Sequence, residues 1–230
     1  MGIFITFEGC DGAGKTTQAK LLATKLGQTR DVLSLYEPGG TSLGELVHSY
    51  VRSHGSGEIN EASVGQAQFD GMKDFDARVD PIAELFLFAA SRAQLVSEII
   101  RPALEQGRIV ICDRFADSTA AYQGYGRELS IEQVTKMNEV ATGGLKPDLT
   151  ILLDISPEDG LSRVPEKKDR MEKQARDFHR RVRDGYLKIA EQDPDRFLTV
   201  DATQSAEDVQ ALIWNRIELL LKPQAEQRLL

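Results

Sequence analysis

The sequence predicts an α/β domain with a doubly wound, parallel sheet, and three observations support this prediction. Short, continuously apolar runs recur along the chain, as in strands that helices cover on both faces. Segments with helical spacing of apolar residues lie between these runs, so strands and helices alternate. With 230 residues, of which 41% are hydrophobic, the chain is long and apolar enough to form one buried core.

Five apolar runs are predicted as strands, and the segments between them supply the helices. The predicted strands are Ile3–Phe7, Val32–Tyr36, Ile109–Cys112, Leu149–Ile155 and Phe197–Val200. The predicted helices are Lys15–Leu26, Ile82–Gln106, Ile131–Thr142, Pro157–Arg163, Ala175–Gln192 and Ala206–Leu221. Ligands of such folds bind at the carboxyl ends of the strands, where Gly9, Glu37 and Asp113 fall.

Two segments lie outside this alternation. Residues 52–80 are rich in Gly, Asp and Glu and show no clear period, so we predict an inserted surface loop or a short helical excursion. Residues 163–183 carry dense charge of both signs, and a solvated helix face is expected over their second half. We therefore predict a single domain over residues 1–222 and a tail over residues 223–230.

Composition excludes several classes of protein. A net charge of −8 and a pI near 5.0 argue against a general nucleic-acid-binding protein, which needs a basic face. No run is apolar enough to span a membrane and no signal peptide is evident, so a cytoplasmic protein without a membrane partner is expected. Cys10 and Cys112 are then interpreted as buried, reduced thiols.

The segment after the first strand has the spacing of a phosphate-binding loop. Gly9, Gly14, Lys15 and Thr16 follow the pattern G-x-x-x-x-G-K-[ST], between a predicted strand and a predicted helix. Glycines let successive N–H groups face one phosphate, and the helix N-terminus adds partial positive charge. Lys15 can reach the β- and γ-phosphates, and the Thr16 hydroxyl can bind Mg²⁺. The sequence therefore predicts binding of a nucleoside triphosphate.

Residues outside this loop narrow the class of enzyme. No Asn-Lys-x-Asp motif for reading guanine is present, which disfavours a GTPase. Asp113 follows the third strand and can hold the magnesium shell, while the adjacent Arg114 can clamp a second phosphate. Phe88 and Arg92 lie four residues apart on one helix face, as a ring and a guanidinium that bind a nucleobase would.

Six blocks of the chain together resemble the thymidylate kinase family, and the resemblance covers residues 2 to about 221. The blocks occur in the family's order: Phe7-Glu-Gly-x-Asp-Gly-Ala-Gly-Lys-Thr-Thr17, Glu37-Pro-Gly-Gly-Thr41, Leu87-Phe-Ala-Ala-x-Arg-Ala-Gln94, Asp113-Arg-Phe-x-x-Ser-x-x-Ala-Tyr-Gln-Gly124, Pro147-Asp-Leu-Thr-x-x-Leu-Asp154 and Asp169-Arg-x-Glu172. The resemblance implies a P-loop NTPase fold of three layers, in which helices flank a five-stranded parallel sheet and a charged helical lid covers about residues 158–173. It implies an ATP-dependent kinase that converts dTMP to dTDP with Mg²⁺, as a homodimer.

The resemblance also implies roles for individual residues. ATP would be bound by Gly9, Cys10, Asp11, Gly12, Ala13, Gly14, Lys15, Thr16 and Thr17, and the metal by Thr16 and Asp113. The acceptor dTMP would be bound by Glu37, Pro38, His48, Phe88, Arg92, Arg114, Ser118, Thr119, Tyr122 and Gln123. Catalysis would depend on Lys15, Asp11, Arg114, Arg163 and Arg170.

Some of these roles are more specific. Phe88 would stack on thymine, Arg92 would bond its edge, and Tyr122 would crowd a ribose 2′-hydroxyl. Some members of the family carry an arginine in the phosphate loop, where this chain has Gly12, so the lid must supply the positive charge. Its candidates are Arg163, Lys167, Lys168 and Arg170, with Arg163 and Arg170 preferred.

The chain departs from the family pattern at three places. His48 stands where the family usually has an arginine that grips the acceptor phosphate, and a neutral histidine is a weaker phosphate partner. Tyr125 replaces a smaller residue, and residues 52–80 form a longer stretch than usual. Two alternatives to a dTMP kinase stay open at this point: another nucleotide or deoxynucleoside kinase, and a non-catalytic nucleotide-binding regulator.

Overall fold

The computed structural model describes residues 2–53, 79–164 and 174–222, with side chains omitted at 52 and 53. Five strands form one parallel sheet in the order β2-β3-β1-β4-β5, so the predicted fold class is confirmed. The strands are β1 (Ile3–Glu8), β2 (Val32–Tyr36), β3 (Ile109–Asp113), β4 (Leu149–Asp154) and β5 (Phe197–Asp201). The predicted strands all form, with ends that differ by one residue at most.

Helices cover both faces of the sheet. They are α1 (Lys15–Leu26), α2 (Ser42–Ser53), α3 (Pro81–Leu95), α4 (Arg101–Glu105), α5 (Ala116–Thr119), α6 (Ile131–Thr142), α7 (Pro157–Ser162), α8 (Arg176–Gln192) and α9 (Ala206–Leu221). Side-chain caps define several starts: Asp80 accepts the Ile82 N–H at 2.8 Å before α3, and Ser130 accepts the Gln133 N–H at 3.4 Å before α6. Within the described part of the chain, no helix combines the length and apolar character needed to cross a bilayer.

The core lies on the two faces of the sheet because successive residues of a strand point to opposite sides. Ile5 and Phe7 of β1 pack with α1, α8 and α9 on one face. Phe4 of the same strand packs on the other face with Leu95 and Phe115, and the rings of Phe4 and Phe115 meet edge to face at 4.9 Å. This double coverage explains why the strands read as continuous apolar runs.

The segment predicted as one helix over roughly Ile82–Gln106 is helical from Pro81 to Glu105, but it is not a regular α-helix throughout. The chain forms α3, then a π-helical segment (Val96–Ile100), then α4. Pro102 lies in this stretch and has no N–H to donate, and its ring crowds the preceding turn of an α-helix. A wider turn before the proline relieves this conflict.

The described residues include only the two ends of the insertion predicted at about 52–80. Helix α2 runs as far as Ser53, and Asp80 belongs to the cap of α3. Residues 54–78 lie outside the described residues, as do residues 165–173 of the predicted lid and the predicted tail, 223–230. The first part of the predicted lid, residues 158–162, belongs to α7.

A second π-helical segment (Ala120–Gly126) follows α5. It carries Tyr122 and Gln123, two of the residues predicted to bind the acceptor. Together with α5 it packs against α8, so the segment after β3 and the helix that follows the predicted lid are in contact.

Candidate active site

The phosphate-binding loop connects β1 to α1 at the carboxyl edge of the sheet. Gly9, Gly12 and Gly14 have φ angles of 137°, 76° and 89°, which other residues rarely adopt. The loop also packs closely on α7, because a Cβ atom on Gly12 would overlap the carbonyl group of Gly160. Glycine is therefore required at this position by both conformation and space.

Lys15 begins α1 and is buried within the loop. Its ammonium group donates hydrogen bonds to the carbonyl oxygens of Gly9 at 3.0 Å and Cys10 at 2.7 Å. Burial lowers the pKa of Lys15, as does the charge of Arg114, while Asp11 opposes this shift. The loop thus holds a concentrated positive charge at its mouth.

Thr16 and Asp113 meet beside the loop, as expected for a shared metal ligand set. The Thr16 hydroxyl donates to Asp113 Oδ2 at 2.5 Å. Among the described residues there is no cluster of three or more His, Cys, Asp or Glu side chains suited to a metal ion. A hydroxyl and one carboxylate nevertheless fit Mg²⁺, which prefers oxygen ligands, retains water and takes its other ligands from phosphates.

Arg114 lies across the loop and joins several of the predicted residues. It forms an ion pair with Asp11 through Nη2, and its Nη1 lies 3.3 Å from the carbonyl oxygen of Gly9. Its guanidinium carbon also lies 5.1 Å from the ring centre of Tyr122, whose hydroxyl donates to Asp11 Oδ2 at 3.0 Å. Burial raises the pKa of Asp11, but the charges of Arg114 and Lys15 outweigh it and hold that pKa below its ordinary value.

One cavity of about 590 Å³ brings most of these groups together. Its lining includes residues that sequence reasoning did not select, which come from the segment after β5 and the start of α9. Among the described residues its walls are residues 11–18, Asp113, Arg114, Arg163, Ala202, Gln204, Ala206 and Val209. The predicted ATP residues from Asp11 to Thr17 thus line a single space with Arg114.

Of the four positively charged candidates in the predicted lid, Arg163 is the one that lies among the described residues. It follows α7, lines the cavity, and donates from Nη1 to the carbonyl oxygen of Ala202 at 2.9 Å. Lys167, Lys168 and Arg170 lie outside the described residues.

Arg92 is buried on α3 at 2% exposure, and protein groups hold most of its donors. Its Nε and Nη2 donate to Glu37 Oε2 at 2.9 and 2.6 Å, and Nη2 also donates to the Phe115 carbonyl at 3.1 Å. Nη1 donates to Asn138 Oδ1 at 2.8 Å. A guanidinium group has five N–H donors, so one remains for a ligand. Burial raises the pKa of Glu37, although the charge of Arg92 opposes this.

Two other predicted acceptor residues hydrogen-bond to side chains of the protein, and a third is buried. The Ser118 hydroxyl donates to Glu8, at 2.6 Å, and the Gln123 amide donates to Glu84, at 2.7 Å. Thr119 is buried on α5. The hydrogen-bonding groups of Ser118 and Gln123 thus already have partners inside the protein.

The remaining predicted acceptor residues lie away from the cavity lining. Phe88 is half-buried one turn before Arg92 on α3, and Pro38 is half-buried after β2. His48 lies on α2, where its Nδ1 is 4.0 Å from Glu45 Oε2 and its ring centre is 6.0 Å from that of Tyr36. Among the described residues, most of the predicted ATP, metal and catalytic groups therefore line one cavity, whereas Arg114 is the one predicted acceptor residue in that lining.

Both cysteines are buried and free of disulfides, as predicted. Burial raises the pKa of Cys10 to about 12, so its thiol stays protonated at neutral pH.

Sequence reasoning missed two buried residues beside Arg114. Glu8, at the end of β1, and Tyr186, on α8, hydrogen-bond to each other at 2.9 Å. Burial raises the pKa of Glu8 to about 7, and the nearby Asp117 carboxylate adds to this shift. Glu8 directly precedes the loop motif, but its partner is 178 residues away, so no local spacing could connect them.

The fold and the loop together define a P-loop NTPase. The family model described as thymidylate kinase matches residues 7–65 and 67–213. The chain is similar to the thymidylate kinase of Caldanaerobacter subterraneus subsp. tengcongensis, with 44% identity over 223 residues, covering 96% of this chain and 97% of the relative. It is 43% identical over 216 residues to that of Deinococcus radiodurans, covering 93% and 95%.

A solved structure agrees with these sequence matches. The crystal structure of thymidylate kinase from Ehrlichia chaffeensis superposes with a TM-score of 0.70 at 32% identity, over 94% of this chain and 98% of that one. The chain belongs to the thymidylate kinase family and is a kinase, as the resemblance predicted.

Proposed function

We propose that this protein transfers the γ-phosphoryl group of ATP to dTMP, giving ADP and dTDP in dTTP biosynthesis. The observation that carries the proposal is the single cavity that contains the phosphate loop, the Thr16–Asp113 pair and Arg114. Donor phosphates and an acceptor phosphate can therefore be neutralised side by side. Membership of the thymidylate kinase family supports dTMP as the acceptor.

The donor side is built by the phosphate loop. Backbone N–H groups between Gly9 and Thr16 hold the phosphate oxygens of ATP, and the N-terminus of α1 adds partial positive charge. Lys15 exchanges its hydrogen bonds to the loop carbonyls for bonds to the β- and γ-phosphates. Its charge then balances the negative charge that develops as the bond between the γ-phosphorus and the bridging oxygen breaks.

Thr16 and Asp113 hold Mg²⁺ in the proposed site. These two oxygen ligands would hold the metal beside the phosphates, where its charge would offset theirs. The oxygen chemistry of the pair and its position in the cavity wall support this assignment. The requirement for Mg²⁺ is part of the proposal.

Arg114 positions the acceptor. The acceptor is a phosphate anion that is already nucleophilic, so the site requires orientation and neutralisation of charge instead of a strong base. Asp11 and Tyr122 hold the guanidinium group on one side, and the Gly9 carbonyl holds it on the other. An acceptor oxygen can then approach the γ-phosphorus in line with the leaving group.

The nucleobase lies against α3 in this proposal. Phe88 stacks on thymine, and Arg92 offers its remaining N–H to the base edge while Glu37 fixes the rest of the guanidinium group. Tyr122 packs beside the sugar and disfavours a 2′-hydroxyl group. The wider acceptor set of the proposal is Pro38, His48, Ser118, Thr119 and Gln123.

Arg163 and Arg170 complete the positive charge around the transferring group. Arg163 already lines the cavity, which supports its role. A homodimer and a cytoplasmic location stay predictions from the sequence.

A coupled ADP-release assay with several acceptors tests the function. Mg-ATP is offered with dTMP, dUMP, ribothymidine monophosphate, dCMP, dGMP or AMP, and the Lys15→Ala variant serves as the blank. We expect turnover with dTMP well above that with the ribonucleotide. Turnover on a different acceptor would support another nucleotide kinase, and ATP binding without turnover on any acceptor would support the regulatory alternative.

A further inference from the structure

Glu8 is a fully buried carboxylate directly before the phosphate loop, at 0% exposure. Its Oε1 accepts a hydrogen bond from the backbone N–H of Phe115 at 2.7 Å. Its Oε2 accepts from the hydroxyls of Ser118 at 2.6 Å and Tyr186 at 2.9 Å. Burying a charge destabilises a protein unless donors compensate for it. The three donors come from two distant parts of the chain, so the fold provides a dedicated environment for this carboxylate.

The same two hydroxyl groups also contact Arg114. Its Nη1 lies 3.3 Å from Ser118 Oγ and 3.4 Å from the Tyr186 hydroxyl oxygen. A hydroxyl has one proton to donate and lone pairs with which to accept. The two hydroxyl oxygens also lie 2.8 Å apart, and either of them can donate to the other. Because an ionised Glu8 only accepts, it draws at least one of the two protons toward itself and leaves lone pairs of both oxygens for Arg114.

Glu8 also holds the backbone next to Arg114. Arg114 has a φ angle of 72°, in the left-handed region that non-glycine residues seldom occupy. The N–H of Arg114 donates to the Phe7 carbonyl at 2.9 Å, and the next N–H, of Phe115, donates to Glu8. The end of β1 therefore fixes the chain on both sides of the unusual residue.

We propose that Glu8 is a positioning residue for phosphoryl transfer, which fixes the guanidinium group of Arg114 through Ser118 and Tyr186. This inference rests on the proposed function. Glu8 is not part of the cavity lining, and it is linked to Arg114, which is, by the hydroxyl groups of Ser118 and Tyr186.

The Glu8→Gln variant tests this role with little change of shape. A glutamine presents an NH₂ group to hydroxyls that now donate, so at least one hydroxyl must turn its proton toward Arg114. Above pH 8, where a group with a pKa of about 7 is mostly ionised, we expect kcat with dTMP to fall roughly 10- to 100-fold, since small displacements of a positioning group have large effects on rate. The KM for ATP should change by less than about twofold, because the donor groups are untouched.

A double-mutant cycle separates positioning from a general structural effect. The Glu8→Gln substitution is made in the wild-type protein and in the Arg114→Ala variant. For each of the four proteins, kcat/KM for dTMP is measured, and the dissociation constant of dTMP is determined by calorimetry. If Glu8 acts through Arg114, the Glu8→Gln change should have less than about a twofold effect in the Arg114→Ala background. The same loss in both backgrounds, or wild-type activity in Glu8→Gln, would overturn the proposal.

Asp148→Asn is the matched control. Like Glu8, Asp148 accepts a backbone N–H with its carboxylate. Its donor is Phe4, at 2.8 Å, which lies at the end of β1 opposite to Glu8. We expect its kcat to stay within about twofold of wild type, with effects that add to those of Arg114→Ala. A loss like that of Glu8→Gln would show that any weakening of β1 reduces activity and would overturn the proposal.

Two further measurements keep the test decisive. Should Glu8→Gln fail to fold, Tyr186→Phe removes one hydroxyl that contacts Arg114, and its loss of activity should again vanish in Arg114→Ala. If wild type does not phosphorylate dTMP, the proposed function is wrong, but this result alone does not reject the role of Glu8. Crystal structures of wild type and Glu8→Gln then decide whether Glu8 fixes Arg114: a displaced guanidinium supports it, and an unchanged one contradicts it.

Discussion

Replacing Glu8 by glutamine should change how the stability of the protein depends on pH. Burial, with a contribution from Asp117, raises the pKa of Glu8 from its ordinary value of 4.5 to about 7. The folded protein therefore holds this proton more tightly than the unfolded chain does. Because the unfolded state loses the proton first, the free energy of unfolding falls as the pH rises from the lower value to the higher one.

The size of this effect follows from the two pKa values. The difference between them corresponds to about 3 kcal/mol once Glu8 is ionised in both states. Most of this stability should be lost by wild type, relative to Glu8→Gln, between about pH 5 and pH 8, because the variant has no carboxyl group to titrate at this position. Other titrating groups are common to both proteins, so they largely cancel from the comparison.

Urea unfolding of the two proteins, followed by circular dichroism at several pH values, measures this difference. The stability of wild type relative to the variant should decline steadily over this range. Parallel stability curves would refute the reasoning, because they would show that the carboxyl group of Glu8 titrates equally in the folded and unfolded states.

Three further substitutions test the site itself. Lys15→Ala should lower kcat by about 10³-fold or more, because no other loop residue supplies its charge, and near-normal turnover would contradict the assignment. His48→Arg should lower the KM for dTMP more than that for ATP, because it adds a fixed charge on the proposed acceptor side; equal changes would place His48 elsewhere. Asp113→Asn should raise the Mg²⁺ concentration needed for half-maximal rate by at least about tenfold, and an unchanged Mg²⁺ dependence would remove Asp113 from the metal site.

The sheet and most helices could be predicted because their signals are local. Continuous apolar runs identified all five strands, and the loop motif correctly placed the start of α1. Helix α2 was missed although Leu43, Val47 and Val51 have helical spacing. The residue before α2 is also a favourable N-cap: the Thr41 hydroxyl accepts the Gly44 N–H at 3.0 Å.

The candidate site was predictable only where its residues belong to a motif. The carboxyl-edge rule explains why Asp113 was found, and the same rule could have found Ala202 and Gln204 after β5. The link between Glu8 and Tyr186 could not be predicted, because it depends on how α8 packs against β1. The inward direction of the Ser118 hydroxyl likewise depends on tertiary packing.

The most direct test of the proposed reaction is a ³¹P NMR spectrum of wild type with Mg-ATP and dTMP. The account predicts that the dTMP signal disappears while the two coupled phosphorus signals of dTDP appear, together with one equivalent of ADP. Release of inorganic phosphate with dTMP left intact would contradict the account, because the γ-phosphoryl group would then pass to water instead of to the acceptor.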